Sequence, residues 1–110
     1  MLNQIILVGR LVDNPLLEET ENGKNTATIM LAVSRAFKND NGEYETDFIP
    51  CIICNNVADK VKEYYKKGDL LGIKGKIQTR QEEDKNIIEI VAEKVTFLSN
   101  RKETEVEVMQ

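Results

Sequence analysis

Two stretches of alternating apolar and polar residues, separated by a short polar segment, constrain the fold of this chain more than any other feature. The first stretch runs from Thr26 to Phe37 and the second from Tyr44 to Cys54, and the segment between them contains Asn41-Gly42. Alternation with a period of two is typical of strands with one buried face, and Asn-Gly is typical of a tight hairpin turn. The sequence therefore predicts a long β-hairpin.

Aromatic and cationic residues are concentrated toward the tip of this predicted hairpin. Arg35, Phe37 and Lys38 end its first strand, and Tyr44 and Phe48 lie in the first half of its second strand. Rings that stack on bases, next to cations that contact phosphates, are typical of surfaces that bind single-stranded nucleic acid. An ordinary hairpin whose rings pack on one another has the same pattern, so the pattern alone leaves both interpretations open.

Overall charge does not favour binding to nucleic acid. The 110 residues carry a formal net charge of −4, whereas nucleic-acid-binding domains usually carry a basic patch or stripe. Any attraction for phosphates must therefore come from cations that are placed locally. A chain of this length supports one domain with a modest core.

The sequence predicts no catalytic residue, no metal site and no cofactor. Histidine is absent, so the usual general base and the usual zinc ligands other than thiols are missing. The only cysteines, Cys51 and Cys54, are three apart in a predicted strand and should point to opposite faces, which favours structural thiols over a redox pair. Unpaired thiols, no signal-peptide pattern and no run of ~20 apolar residues predict a soluble cytoplasmic protein without a membrane segment.

The first predicted strand, Asn3 to Val12, has apolar residues on both of its faces. Its run Ile5-Ile6-Leu7-Val8 would fill the core with one face and leave Ile6 and Val8 outside. An apolar outer face favours a partner subunit that covers it, although another part of the same chain could do so. A short arm, Leu16 to Thr20, leads from this strand to the hairpin.

After the hairpin the period changes from two to that of a helix. Asn55 or Asn56 is the predicted N-cap, and Val57, Val61, Tyr64 and Tyr65 form the predicted buried stripe. Lys66 and Lys67 are placed in the last turn, with Gly68 as the stop.

Period-two alternation returns from Leu70 to Arg80, followed by a polar tip and a last strand from Ile87 to Leu98. One face of the first of these strands carries Lys74, Lys76, Gln78 and Arg80. Such a row could follow a phosphate backbone or could simply be a solvated surface. Three strands, one helix and two strands predict an all-β fold, the five-stranded OB-fold barrel with one helix between strands three and four. We expect the domain to cover residues 1–99, with 100–110 as a short flexible extension.

Motifs in the order and spacing of a known family run from Leu2 to Leu98. They are Asn3-x-Ile-x-Leu-Val-Gly-Arg-Leu11, Ala27-x-Ile-x-Leu-Ala-Val-Ser-Arg-x-Phe37, Asp47-Phe-Ile49, Tyr64-x-Lys-Lys-Gly68, Gly75-x-Ile-Gln-Thr-Arg80 and Glu89-Ile-Val-Ala92. On these motifs the chain resembles the bacterial-type single-stranded DNA-binding proteins. The resemblance implies a homotetramer, or failing that a dimer, around which single-stranded DNA wraps without sequence preference during replication, recombination or repair. It also implies that Phe37 and Phe48 stack on bases, and that Arg35, Lys38, Arg80, Lys66 and Lys67 lie near phosphates.

The sequence departs from that family at two stacking positions and at its end. Cys54 and Glu82 stand where the family usually has aromatic residues, and each lost stack is worth about 1–3 kcal/mol per base, so we expect weaker binding or a smaller site. No acidic tail of the family's kind is visible before Gln110. Either the tail has been truncated or this is a short variant, and recruitment of replication enzymes is doubtful. The alternatives are an interaction module of the primosome-accessory type, favoured by the negative charge, and a thiol redox enzyme, which the cysteine geometry disfavours.

Overall fold

Strand boundaries follow the alternating pattern of the sequence closely. The computed structural model describes residues 1–19 and 23–99. Its elements are β1 (Ile5–Leu11), β2 (Leu16–Glu19), β3 (Asn25–Lys38), β4 (Tyr44–Cys54), α1 (Asn55–Tyr64), β5 (Leu70–Glu82) and β6 (Lys85–Phe97). The predicted extension at 100–110 lies outside the described residues, and so the domain division stays a prediction.

The sheet closes on itself to form a five-stranded barrel. The strand order is β1-β5-β6-β4-β3-β2, and β1 also pairs with β3 through Arg10 and Leu11. Every pairing is antiparallel except that of β4 with β6, which is parallel and covers three residues on each strand, Cys51–Ile53 and Ile90–Ala92. The predicted all-β OB-fold is therefore confirmed. The short arm forms β2, a strand of its own at the edge of β3, so the helix falls between the fourth and fifth strands by this count.

The barrel core is built from the inward-facing residues of the alternating strands. Ile29 and Leu31 of β3, Ile53 of β4, and Leu71 and Ile73 of β5 are at most 2% exposed. The helix contributes Val61 to this core, and the Tyr65 ring stacks on Phe97 with 5.4 Å between centroids. Within the described part of the chain, no helix has the length and apolar character needed to cross a membrane.

The ends of α1 differ from the predicted ones. Strand β4 runs through Cys54 directly into the helix, so Cys54 is the N-cap and makes no side-chain capping hydrogen bond. The prediction of Asn55 or Asn56 as N-cap is therefore wrong. At the other end, Tyr64 is exposed, and Tyr65 follows the helix in an extended conformation.

Lys66 and Lys67 consequently lie beyond the helix and not in its last turn, where only Lys62 is found. Backbone hydrogen bonds fix the segment that follows instead. The Gly68 amide donates to the carbonyl of Leu11 at 2.9 Å, and the Lys67 amide donates to Asn14 Oδ1 at 2.8 Å. Gly68 has a φ of +92°, which suits a turn that only glycine adopts without strain.

Two hairpins extend past the barrel because β4 and β6 pair over only three residues. We call residues 33–49 the β3–β4 arm and residues 77–90 the β5–β6 arm. The β3–β4 pairing has a register shift between Ser34 and Lys38, so the backbone ladder is interrupted near the tip. The β5–β6 arm ends in the two-residue turn Glu83-Asp84, whose φ angles of 47° and 66° are those of a tight hairpin turn.

Candidate nucleic-acid interface

Two phenylalanine rings are exposed on the β3–β4 arm. Phe37 is 85% exposed and Phe48 is 62% exposed, whereas large apolar side chains in a folded domain are usually buried. An exposed flat ring on a projecting hairpin can stack on an unpaired base. The structure therefore leaves both predicted stacking residues accessible.

The rings are spread along the arm and do not form one cluster at its tip. Phe48 lies opposite Ala32 in the β3–β4 register, and Phe37 is five residues further along β3, within the register shift between Ser34 and Lys38. Phe48 therefore lies further from the tip than Phe37 and Tyr44 do. Near the tip, Lys38 lies opposite Tyr44, with its Nζ atom 5.7 Å from the centre of the Tyr44 ring.

Arg35, one of the predicted phosphate contacts, is held by two carboxylates of the opposite strand. Its Nε and Nη2 atoms donate to Asp47 at 3.0 Å and 2.9 Å, and its Nη1 atom donates to Glu45. The hydrogen bond and charge of Asp47 raise the pKa of Arg35, and the hydrogen bond from Arg35 lowers the pKa of Asp47. This clamp crosses the β3–β4 arm where the backbone register shifts.

Arg80 is held in the same way on the β5–β6 arm. Its Nε atom donates to Glu89 at 2.6 Å and its Nη1 atom donates to Glu82 at 2.7 Å. Hydrogen bonds to Glu89 and then to Glu82 raise the pKa of the Arg80 guanidinium. Glu82, which stands where the family usually has an aromatic residue, is thus hydrogen-bonded to Arg80.

The predicted lysines lie at different places on the barrel. Lys74 and Lys76 share the outer face of β5 as predicted, and Lys74 lies directly opposite Lys94 of β6. Lys94 is not among the residues predicted from the sequence, because only the strand register brings it beside Lys74. Lys66 and Lys67 precede β5, which begins at Leu70. Arg80 lies ten residues beyond Leu70, roughly 33 Å along the strand.

The outer face of β1 is apolar and accessible, as predicted. Ile6 is 69% exposed and Val8 is 50% exposed. Strand β1 pairs with β5 from Ile5 to Arg10, but β3 covers its other edge only at Arg10 and Leu11. The first half of β1 therefore presents a strand edge that lacks a strand partner among the described residues.

Comparison with known proteins decides the family. The model of the Single-strand binding protein family matches residues 2–98. The chain belongs to this family. It is 47% identical over 106 residues to the single-stranded DNA-binding protein of Bacillus cereus. The aligned segment covers 92% of this chain and 62% of that protein.

Two further relatives of the family are similarly close. Single-stranded DNA-binding protein 2 of Staphylococcus aureus is 46% identical over 103 residues, 89% of this chain and 73% of its own length. Single-stranded DNA-binding protein 2 of Listeria monocytogenes is 45% identical over 103 residues, 89% of this chain and 64% of its own length. The chain thus spans about three-fifths of the length of several of the relatives that it matches.

The cysteines of this single-strand binding family member behave as structural residues. Cys51 is fully buried, and burial raises its pKa to about 11, so its thiol is protonated at neutral pH. Cys54 is half-buried at the start of α1, and both thiols are free. Among residues 1–19 and 23–99, no group of three or more His, Cys, Asp or Glu side chains could hold a metal ion.

Proposed function

We propose that this chain binds single-stranded DNA without sequence preference. The observation that carries the proposal is the exposure of Phe37 and Phe48, at 85% and 62%, on an arm that projects from the barrel of a single-strand binding family member. Every base has a flat face, so stacking on such rings tolerates any sequence. The curated relatives of this chain are named single-stranded DNA-binding proteins.

Phosphates would be neutralised by cations distributed over the barrel and its arms. The candidates are Arg35, Lys38, Lys66, Lys67, Lys74, Lys76 and Arg80. Three of them, Lys74, Lys76 and Arg80, follow one another along β5, which suits a strand of DNA that runs over the surface rather than into one pocket. Since the net charge is −4, these local cations must supply the attraction that the whole chain lacks.

The proposed role is to coat and protect single strands during replication, recombination or repair, in the cytoplasm and near the nucleoid. No chemical step is needed for this role, and we propose a binding protein and not an enzyme. With Cys54 and Glu82 at two stacking positions of the family, we expect an affinity or a site size below that of an aromatic-rich relative.

We further propose a homotetramer, with a dimer as the alternative. The exposed apolar side chains of Ile6 and Val8, and the uncovered edge of β1 beside them, support the proposal. A second copy of the chain could add its own β1 to that edge, which would satisfy the free backbone groups and cover both side chains.

The carboxylates on the two arms favour a second candidate function. Because Arg35 and Arg80 are each paired with two carboxylates, the arms attract phosphate less than the sequence suggests. A barrel of this kind could serve as a protein-interaction module of the primosome-accessory type, with weak binding to nucleic acid.

A titration against oligo-dT at several salt concentrations, with duplex DNA as the control, separates the two functions. We expect saturable binding to oligo-dT, weaker binding to the duplex, and a log K that falls with log salt by about 0.7 per phosphate neutralised. Failure to bind oligo-dT even at low salt would exclude the proposed function and leave the interaction module.

A further inference from the structure

Both arms carry the same local arrangement, one arginine held by two carboxylates. On the β3–β4 arm, Asp47 takes the Nε and Nη2 donors of Arg35 with both of its oxygens. These two parallel donors form the edge of a guanidinium that binds a phosphate in a bidentate manner. A phosphate that approached Arg35 would therefore find this edge already occupied, and Glu45 occupies the third donor atom.

The carboxylates of the β5–β6 arm engage two of the three side-chain nitrogen atoms of Arg80, Nε and Nη1, whereas those of the β3–β4 arm engage all three of Arg35. Glu89 accepts from Arg80 Nε with one oxygen and from Gln78 Nε2 with the other, at 2.6 Å and 3.3 Å. The Glu89 side chain is only 10% exposed, so it is fixed in place and cannot easily swing away. Glu82 accepts from Nη1 on the other side of the same guanidinium.

Charge makes the competition unfavourable for a phosphate at both places. Each cluster combines one positive and two negative side chains, and its net charge is therefore −1. The predicted lysine contacts differ: within the described residues, no carboxylate forms an ion pair with the five lysines of the proposed interface. These are Lys38, Lys66, Lys67, Lys74 and Lys76.

We propose that Glu45, Asp47, Glu82 and Glu89 limit the affinity of this protein for single-stranded DNA by occupying Arg35 and Arg80 in place of phosphate. The proposal rests on the proposed function and deepens it. The set of phosphate contacts proposed above is thereby narrowed to its lysines in the natural protein, and the two arginines brace their arms. Neutralising the carboxylates frees the arginines for DNA.

The test is a cycle of variants on the β3–β4 arm, measured by titration with oligo-dT across a salt series. Its members are the natural protein, Arg35→Gln, the pair Glu45→Gln with Asp47→Asn, and all three changes together. The amide replacements keep the shape of the side chains but remove both negative charges. An asparagine at position 47 would also offer one acceptor oxygen where Asp47 offers two, so Arg35 is released while the paired strands of the arm are left as they are.

We expect Arg35→Gln alone to change the affinity less than 2-fold and to leave the salt slope unchanged. We expect the carboxylate pair to tighten binding roughly 2- to 5-fold, the range that exposed charge pairs typically give. It should also steepen the slope of log K against log salt by about 0.7, the value for one phosphate on a single strand. Adding Arg35→Gln to the pair should abolish both gains.

The matched control is Glu18→Gln with Glu19→Gln on β2, which changes the net charge by the same amount away from both arms. A control as effective as the arm variants would overturn the proposal, since general charge would then explain the gain. A loss of affinity and of salt slope in Arg35→Gln alone would also overturn it, because Arg35 would already contact phosphate.

The test is repeated on the β5–β6 arm, so that a failure of one set of variants to fold does not decide it. The variants there are the pair Glu82→Gln with Glu89→Gln, Arg80→Gln, and all three changes together. If the natural protein fails to bind but the arm variants bind, the proposed function is wrong for the natural protein and the masking by carboxylates stands. If neither the natural protein nor any variant binds, both are wrong.

Discussion

Asp47 receives both of its hydrogen bonds from Arg35 across the β3–β4 arm, at 3.0 Å from Nε and 2.9 Å from Nη2. The contact lies where the backbone register shifts between Ser34 and Lys38. A bidentate side-chain clamp therefore joins the two strands at the point where the regular ladder is interrupted. This contact stabilises the folded protein at neutral pH and is lost in acid.

Because Arg35 lowers the pKa of Asp47 in the folded protein, the clamp stabilises the fold above the usual aspartate pKa of about 3.9 and is lost as the pH falls below it. We expect an NMR titration to place the Asp47 carboxyl below that value. In Arg35→Gln the Asp47 carboxyl should return to it. An Asp47 titration that does not move in this variant would show that the clamp is absent in solution.

Phe48→Ala tests the stacking role directly. We expect binding to every oligonucleotide sequence to weaken by about 1–3 kcal/mol, or roughly 5- to 150-fold. The melting temperature should hardly change, because the Phe48 ring is 62% exposed and contributes little to the core. Leu16→Ala, at a 60% exposed residue of β2, is the control. A loss confined to one base sequence would indicate specific readout instead of stacking.

Gly75→Ala should destabilise the barrel strongly. A Cβ atom at Gly75 would lie 2.0 Å from the backbone oxygen of Val91, and the nearest atoms are all main chain. Overpacking typically costs 1–3 kcal/mol, and we expect about 3 kcal/mol or more here, since backbone of a paired strand must move. Gly72→Ala is the matched control on the same strand, because its Cβ would meet nothing closer than 3.5 Å. Urea unfolding of the two variants gives the comparison.

The sequence predicted the barrel because its signal is local. Period-two alternation marks the buried face of a strand directly, and the inward positions Ile29, Leu31 and Ile53 are buried as that pattern requires. The start of α1 was not predictable in the same way, because two asparagines offered good caps and the continuation of β4 through Cys54 decided the boundary.

Partners across strands were beyond the reach of the sequence. The contacts of Glu45 and Asp47 with Arg35, and the position of Lys94 beside Lys74, depend on strand register. So does the contact of Glu89 with Arg80, whereas Glu82 lies two residues after Arg80 on the same strand. The position of Phe48 relative to Phe37 depends on it as well. Register is set by turns and bulges, and one-residue shifts change every cross-strand neighbour. Sequence alone therefore predicts candidate interface residues but not the charges that surround them.

The two thiols should react at very different rates. Burial raises the pKa of Cys51 to about 11, so little thiolate forms at neutral pH, whereas the half-buried Cys54 is accessible to a thiol reagent. We expect the natural protein to react rapidly with one equivalent of a thiol reagent. The Cys54→Ser variant should react with none until denaturant is added. A rapid reaction in Cys54→Ser would contradict the burial of Cys51.

The same shift predicts a loss of stability in alkali. A thiol whose pKa is raised by folding stabilises the protein fully below the unfolded value, taken as 9.0, and this contribution disappears as the pH rises toward 11. A shift of that size corresponds to about 2–3 kcal/mol. Cys51→Ala should flatten the decline of unfolding free energy between pH 9 and 11, even though its stability at neutral pH is lower.

Ile6→Glu tests the proposed assembly through β1. Ile6 is 69% exposed and lies opposite Lys74 in the β1–β5 register, so a carboxylate is tolerated within one subunit. It would be buried against apolar surface if a second copy covered this face. We expect sedimentation to show assemblies of the natural protein and a monomer near 12.5 kDa for Ile6→Glu. Leu16→Glu, on the exposed edge strand β2, should leave the assembly intact, and a natural protein that is already monomeric would exclude the proposed tetramer and dimer alike.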